Sequence, residues 1–486
     1  MELRRPARRF GCVPAKNLQP CTSRIHRRDT RAFIWAQLLL VYCAFGTSCA
    51  VQESDDPARR APPVIAKQEV QPAEDAAKLL DAALKEYADD PAVEALVAAV
   101  RSASTAPLTA GNDVHPLVDG PQTFAAIEEA VNAATHHVHV ETFIYDDDEL
   151  GRQFAELLAT KRREGVEVRV LYDSIGSMET DPKFFDTLRQ DGIEVREFRP
   201  MNPAETPLIW KIQNRDHRKI LVVDGRVAFT GGINVSGTYS SSSSSKPGPE
   251  RGIEEGWRDT HIRIKGPAVA QLQELFIENW ERAGDGPSFC CAPEHFPTHS
   301  PVGKHLVTIV ANDSDESDDR SLYATYLAAF KKSSSRLWIT HAYFAPNDDL
   351  LDAMTEAAAR GVDVRLITPG FTDSNVVLFA TRSTYTRLLK GGVRIYERND
   401  ALLHAKSVVI DGTVSIVGSA NLDMRSFIHN DEANAIIISR DFGARMEKIF
   451  ERDQQAAHQL DLDTWQQRPF MERLREFGSR LLWYWL

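Results

Sequence analysis

His217-Arg218-Lys219-Ile220-Leu221-Val222-Val223-Asp224-Gly225 and His404-Ala405-Lys406-Ser407-Val408-Val409-Ile410-Asp411-Gly412 are two copies of one pattern. In each, histidine and lysine stand two apart and an aspartate follows the lysine by five positions. Six further residues separate that aspartate from a small pair and an asparagine: Gly231-Gly232-x-Asn234 in the first copy, Gly418-Ser419-x-Asn421 in the second. The apolar run entering Asp-Gly reads as a strand and turn, and Arg226–Gly231 and Thr413–Gly418 read as the returning strands. Side chains two apart on a strand share a face, so each copy can present His and Lys to one place. The small pair leaves room for a ligand near the backbone, and the Asn amide can hydrogen-bond an anionic oxygen. Each copy is half a site.

The flanking sequence repeats as well. Val138–Phe143 followed by GVEVRVLYD and GIEVREF has its counterpart in Leu337–Thr340 followed by GVDVRLITP and GVRIYE. Strand, helix-period stretch and strand alternate in each half, the grammar of a parallel or mixed sheet covered by helices. The expected fold class is α/β, two similar α-β-α lobes forming a pseudo-symmetric pair around one shared site. A length of 486 residues suits two such domains with appendages.

The doubled HxK(x)4D element resembles the signature of the phospholipase D superfamily. The blocks HVHVETFIYDDDELG, GWRDTHIRIKGPAV, ITHAYFAP and GSANLDMRSF are similar to those of bacterial cardiolipin synthases, in the same order, from about Asn112 to the C-terminus. The resemblance implies phosphatidyl transfer between phospholipids, two phosphatidylglycerols giving cardiolipin and glycerol through a phosphohistidine. It assigns His217, Lys219, Asp224, His404, Lys406 and Asp411 to the catalytic motif, with Asn234 and Asn421 binding phosphate. His217 would be the nucleophile and His404 the acid and then base; the residues alone allow either order. It also implies a carboxylate downstream of each motif that fixes its histidine, which gives Glu432 to His404 and Asp259 to His217. The aspartates in the Asp-Gly turns, Asp224 and Asp411, fit a turn-stabilising place better than a substrate contact. Two lysines serve where other phosphoryl enzymes use a metal, so no metal or other cofactor is expected. Hydrolytic phospholipase D, and a phosphodiesterase or nuclease, are the alternative activities; a silent lipid-binding scaffold would require loss of a motif, and both are intact.

Charge bears on these alternatives. The formal net charge is -12, and the first 48 residues hold nine Lys or Arg against Glu2 and Asp29, so without them 48 basic residues face 67 acidic ones. Binding to nucleic acid through phosphates calls for a basic face, which makes that partner unlikely and favours phospholipid substrates and a membrane surface.

The expected domain limits are 1–48, 49–75, 76–110, 111–298 and 299–486. Arg-rich sequence before an apolar run from Ala32 to Phe45, with small residues ahead of Cys49, reads as an export signal, Cys49 being lipidated, or as an uncleaved anchor. Either places the protein on a membrane of the bacterial cell envelope. Residues 49–75 read as a charged, Pro/Ala-rich linker, and 76–110 as a helical extension on the first lobe. Tyr239–Gly252 is a serine-rich insertion and a candidate rim loop, or a surface insertion without a role. Cys290-Cys291 lack metal-ligand spacing. His136, His137 and His139 on an apolar strand read as packing, His341 as packing or cleft lining, and Asp146–Asp148 as a solvated turn. The C-terminal ERLREFGSRLLWYWL suits an interfacial helix or burial of its aromatics against the second lobe.

Overall fold

The turn chemistry at Asp224-Gly225 and Asp411-Gly412 is built as the sequence requires. In the computed structural model, which describes residues 73–201, 213–244, 256–284, 292–316 and 319–481, Asp224 and Asp411 both have φ of 52°, followed by Gly225 at 61° and Gly412 at 63°. Arg226 N–H closes the first turn on the Val223 carbonyl at 2.9 Å, and Thr413 N–H closes the second on Ile410 at 3.0 Å. A left-handed aspartate is costly unless its side chain is compensated. Asp224 accepts from the backbone N–H groups of Thr135, His136 and His137 at 2.8 to 2.9 Å, and Asp411 does the same for Ser334, Ser335 and Arg336. Both carboxylates therefore fasten the hairpin to the neighbouring strand. This is the turn-stabilising place that the sequence suggested for them.

Strands β1 (Thr109–Val118), β2 (His137–Thr142), β3 (Glu167–Asp173), β4 (Glu194–Phe198), β5 (Arg215–Asp216), β6 (Ile220–Val223), β7 (Val227–Gly231) and β8 (Thr260–Lys265) form the first half. The second comprises β9 (His305–Asn312), β10 (Arg336–His341), β11 (Phe344–Ala345), β12 (Asp363–Pro369), β13 (Arg394–Arg398), β14 (Lys406–Ile410), β15 (Val414–Gly418), β16 (Leu422–Asp423), β17 (Asn430–Ile438) and β18 (Ala457–Gln459). In each half three parallel strands, β2-β3-β4 and β10-β12-β13, adjoin the antiparallel motif hairpin, β6-β7 and β14-β15. Pairing of β8 with β1, β1 with β9 and β9 with β17 carries the hydrogen-bonded sheet across the middle. The described residues group as one compact unit.

Helices cover both faces. The N-terminal pair, Ala73–Leu84 and Pro91–Ser102, was expected on the first lobe. The first of them packs on β1 of the first half, whereas Leu96, Val97 and Val100 of the second join Leu322, Tyr326 and Phe330 of the second half in one buried cluster. The apolar side of helix Ser321–Lys332 requires a cover, and this pair supplies it. The expected export or anchor segment, Cys49, residues up to 72, Cys290-Cys291, the serine-rich stretch from 245, and residues 482–486 lie outside the described residues. Among those described, no helix is long and apolar enough to cross a membrane.

A buried ion cluster also ties the halves. Asp453, on helix Arg440–Gln455, accepts from Arg258 Nε and Nη2 at 2.8 and 2.6 Å and from Arg398 at 2.7 Å. Removing one member of such a cluster strands the others. Asp453→Asn should therefore lower unfolding stability by about 3–5 kcal/mol, read from urea denaturation.

Candidate active site

The two short segments that precede the histidines do not pair within their own half. β5 runs parallel to the start of β17, and His217 N–H donates to the Asp431 carbonyl at 2.9 Å. On the other side Arg258 N–H donates to the Leu402 carbonyl and His404 N–H to the Arg258 carbonyl, both at 2.8 Å. Each histidine is thus hydrogen-bonded to the residue just before the other half's carboxylate. Glu432 follows Asp431, and Asp259 follows Arg258.

The side chains pair accordingly. His217 Nδ1 lies 2.9 and 3.0 Å from the Glu432 oxygens, and His404 Nδ1 lies 2.8 Å from Asp259 Oδ2. This reverses the expected assignment of Glu432 to His404 and Asp259 to His217. The family resemblance implied a carboxylate downstream of each motif in the same half, whereas the exchanged strand contacts bring in the one from the opposite half. An ionised carboxylate can only accept, so Nδ1 carries the proton and Nε2 keeps a lone pair. Neither Nε2 has a hydrogen bond to the described residues.

The small pair after each returning strand serves this geometry. A Cβ on Gly232 would stand 2.2 Å from Asp259 Oδ1, and one on Gly418 would stand 2.4 Å from the Ala433 carbonyl. Their smallness admits the carboxylate-bearing strand, not a ligand as the sequence suggested. Ser419 Oγ accepts from Ala433 N–H at 3.0 Å, beside Glu432.

All these groups are buried, and burial sets their charge. It pushes the His217 imidazole down to about 4, with Glu432 opposing and Lys219 adding to the shift; His404 moves down for the same reason, reinforced by Lys406. Burial lowers Lys219 to about 7 and Lys406 to about 8; Glu432 opposes the first shift and Asp259 the second, while Lys406 adds to the lowering of Lys219. For the carboxylates burial works upward but loses: His217 and Lys219 hold Glu432 below its ordinary range, and His404 and Lys406 hold Asp259 there. Lys219 Nζ donates to the His217 carbonyl at 2.6 Å, and Lys406 Nζ lies 3.0 Å from His404 Nδ1.

Aromatic side chains that the sequence did not single out frame the histidines. The Phe143 ring stands edge-on to His217 at 4.9 Å, with Lys219 Nζ 5.2 Å from its centroid. Tyr239 Oη lies 3.0 Å from His404 Nδ1, and Trp257 and Tyr343 flank the imidazole at 5.3 and 6.1 Å. Tyr239 was hidden as the first letter of the serine run. Ser242 and Ser243 at the start of that run are held by Asp119 Oδ2.

Asn234 and Asn421 are buried beside the motifs. Asn234 Oδ1 accepts from Ile144 N–H at 3.2 Å, and Asn421 Oδ1 has no hydrogen bond to the described residues. The other basic neighbours are committed elsewhere: Arg215 to Asp173 at 2.9 Å, and Arg218 to the Asn312 carbonyl at 2.7 Å. Asp148 caps helix Glu149–Arg163 through Gly151 N–H, and fully buried His341 packs near Tyr326. His139, Glu167 and His295 offer three converging ligand atoms. Arg169 sits at the same point, 3.3 Å from His139 Nε2 and ion-paired with Glu167, so a guanidinium already supplies the positive charge there.

A family model described as "Cardiolipin synthase, PLD-like domain" matches residues 127–244 and 326–454, one segment around each motif. The chain belongs to this cardiolipin synthase family. Cardiolipin synthases of Geobacillus kaustophilus and Geobacillus thermodenitrificans are 35% and 36% identical to it over 77% of this chain and 73% of theirs. A phosphatidylserine synthase from Haemophilus influenzae has the same fold, with a TM-score of 0.60 over 80% of this chain and 100% of that one at 15% identity. The protein is thus a phosphatidyltransferase of the phospholipase D superfamily, and the cardiolipin synthase family's doubled motif is the pair of crossed histidines described above.

The lysine shifts give the site a definite pH response. An ammonium is charged below its pKa, so positive charge in the free cleft is full in acid and lost as pH rises through about 7 and about 8. His217 is neutral above about 4. The kcat/KM profile on a soluble short-chain phospholipid, which reports the free enzyme, should fall on the acid side near pH 4 and on the alkaline side first as His404 loses its proton below the ordinary imidazole range and further as the lysines discharge through about 7 and about 8, whereas a profile still rising at pH 9 would contradict these charge states.

Proposed function

We propose that this enzyme makes cardiolipin from two phosphatidylglycerols through a phosphohistidine on His217. The observation that carries the proposal is the crossed pairing, which gives each histidine a protonated Nδ1 and a free Nε2 beside two buried ammonium groups. In the first step His217 Nε2 forms a bond to phosphorus while the bond to the glycerol oxygen breaks, and protonated His404 gives its proton to that oxygen. In the second step His404 takes the proton from a headgroup hydroxyl of the second phosphatidylglycerol. That oxygen bonds to phosphorus, the N–P bond breaks, and His217 is regenerated.

Charge makes this order workable. In the free site burial and Lys406 depress His404, so it needs help to hold a proton. A bound phosphodiester brings a negative charge that offsets the lysines and raises the imidazole. Lys219 and Lys406 then counter the charge that spreads over the phosphoryl oxygens in the transition state, with Asn234 and Asn421 as further phosphate contacts. Attachment to the bacterial membrane through the apolar segment 32–45, by lipidated Cys49 or as an uncleaved anchor, completes the proposal.

The test uses phosphatidylglycerol vesicles without added metal and resolves the lipid products by mass spectrometry. Asparagine is the better replacement for each histidine, because its amide can still donate to Glu432 or Asp259 and spares a stranded buried charge. Cardiolipin and glycerol should appear with the native enzyme and fall at least about a hundredfold in His217→Asn and in His404→Asn. Phosphatidic acid as the main product would move the enzyme to the hydrolases.

A further inference from the structure

Helix Phe470–Arg480 is amphipathic in the inverse sense. It packs on helix Asn375–Lys390, and the side chains it buries are Glu476 and Ser479. Arg468 holds Glu476 by two bonds of 2.8 and 2.6 Å. Its apolar residues face outward: Phe470 is 71% exposed, Met471 57%, Leu474 48%, Phe477 62% and Leu481, just past the end, 68%. Phe470, Leu474, Phe477 and Leu481 follow the spacing i, i+4, i+7, i+11 and so form one stripe. Scattered exposed apolar residues need no explanation, but a contiguous stripe of large ones does.

The polar residues of the same helix indicate what covers it. Arg473, Arg475 and Arg480 are exposed, Arg480 lying 3.5 Å from the exposed Asp348 carboxylate, and Glu472 is partly buried, which leaves Arg473 and Arg475 as a basic rim on a chain of net charge -12. Aromatic and leucine side chains beside arginines match the boundary between acyl chains and anionic headgroups. Its place in the fold fits the chemistry too. The Arg475 guanidinium lies 5.7 Å from the ring of Phe379, on a helix whose first turn holds half-exposed Val376. Just before that helix, Asp373 Oδ1 accepts from the Tyr343 hydroxyl at 2.6 Å, and Tyr343 stands edge-on to His404.

We propose that helix Phe470–Arg480 lies on an anionic phospholipid bilayer, with Phe470, Leu474, Phe477 and Leu481 below the headgroups and the arginines at phosphate level, bringing the second half's cleft rim to the lipid. This rests on the phospholipid-substrate reading. Each basic side chain near an anionic surface adds about fivefold in affinity, so the docking should discriminate by lipid charge.

The experiment compares hydrogen exchange of the full chain with phosphatidylglycerol vesicles, with phosphatidylcholine vesicles and without lipid. Exchange across 470–481 should slow with phosphatidylglycerol alone, and Leu474→Asp/Phe477→Asp should abolish that protection. The same variant should raise the apparent KM for vesicle phosphatidylglycerol about tenfold while keeping native turnover on monomeric dihexanoyl phosphatidylglycerol. Protection already present without lipid, from a second copy or from the chain's own N-terminal apolar segment, would overturn the proposal, as would an unchanged vesicle KM. Loss of monomeric turnover in the native enzyme would count against the functional reading instead, and the exchange result would still decide the helix.

Discussion

Both motif histidines take their orientation from a hydrogen bond to a carboxylate of the opposite half, and the chemistry of the cleft depends on it. His217 and Glu432 are 215 residues apart in sequence, His404 and Asp259 145. A charge-assisted bond of this kind contributes about 1.5–3 kcal/mol, but its larger effect is on chemistry. It fixes the tautomer, turns Nε2 outward, and sets beside the two lysines carboxylates that oppose their discharge by burial. Neither half can do this by itself, because the motif supplies the histidine and the partner half supplies its orientation.

The backbone arrangement makes the exchange obligatory. β5 leaves the first half to pair with β17, and the residue before Asp259 bridges to the residue before His404. With the sheet continuous through β8, β1, β9 and β17, the halves are held at a fixed register while the Asp-Gly turns pin each hairpin to its own parallel strands. The buried Asp453 cluster lies beside the Arg258 bridge, so a stabilising ion group and a positioning contact share one residue.

Much of this was legible in the sequence, and what was not follows a pattern. Doubling of the motif, the left-handed Asp-Gly turns and the strand-helix alternation are local, and local periodicity records them. The histidine partners were named as residues but matched to the wrong rings, because Glu432 lies 28 positions beyond His404 in the chain while its side chain is delivered by strand exchange. Gly232 and Gly418 were read as making room for a ligand; the space is filled by the carboxylate strand. Tyr239 was masked by the low-complexity run that follows it. The C-terminal helix was ambiguous by composition, since the same leucines and phenylalanines could have faced inward. Only the burial of Glu476 and Ser479 shows which way it turned.

The central claim is that Glu432 serves the nucleophile and Asp259 the acid and base. It is tested most directly with short-chain phosphatidyl-p-nitrophenol, whose leaving group needs no proton, followed by mass spectrometry of the enzyme. The account predicts that Asp259→Asn accumulates a phosphatidyl adduct on His217, because the first step survives and the second lacks its base, while Glu432→Gln forms none. Accumulation in Glu432→Gln with no adduct in Asp259→Asn, or an adduct on His404, would contradict it.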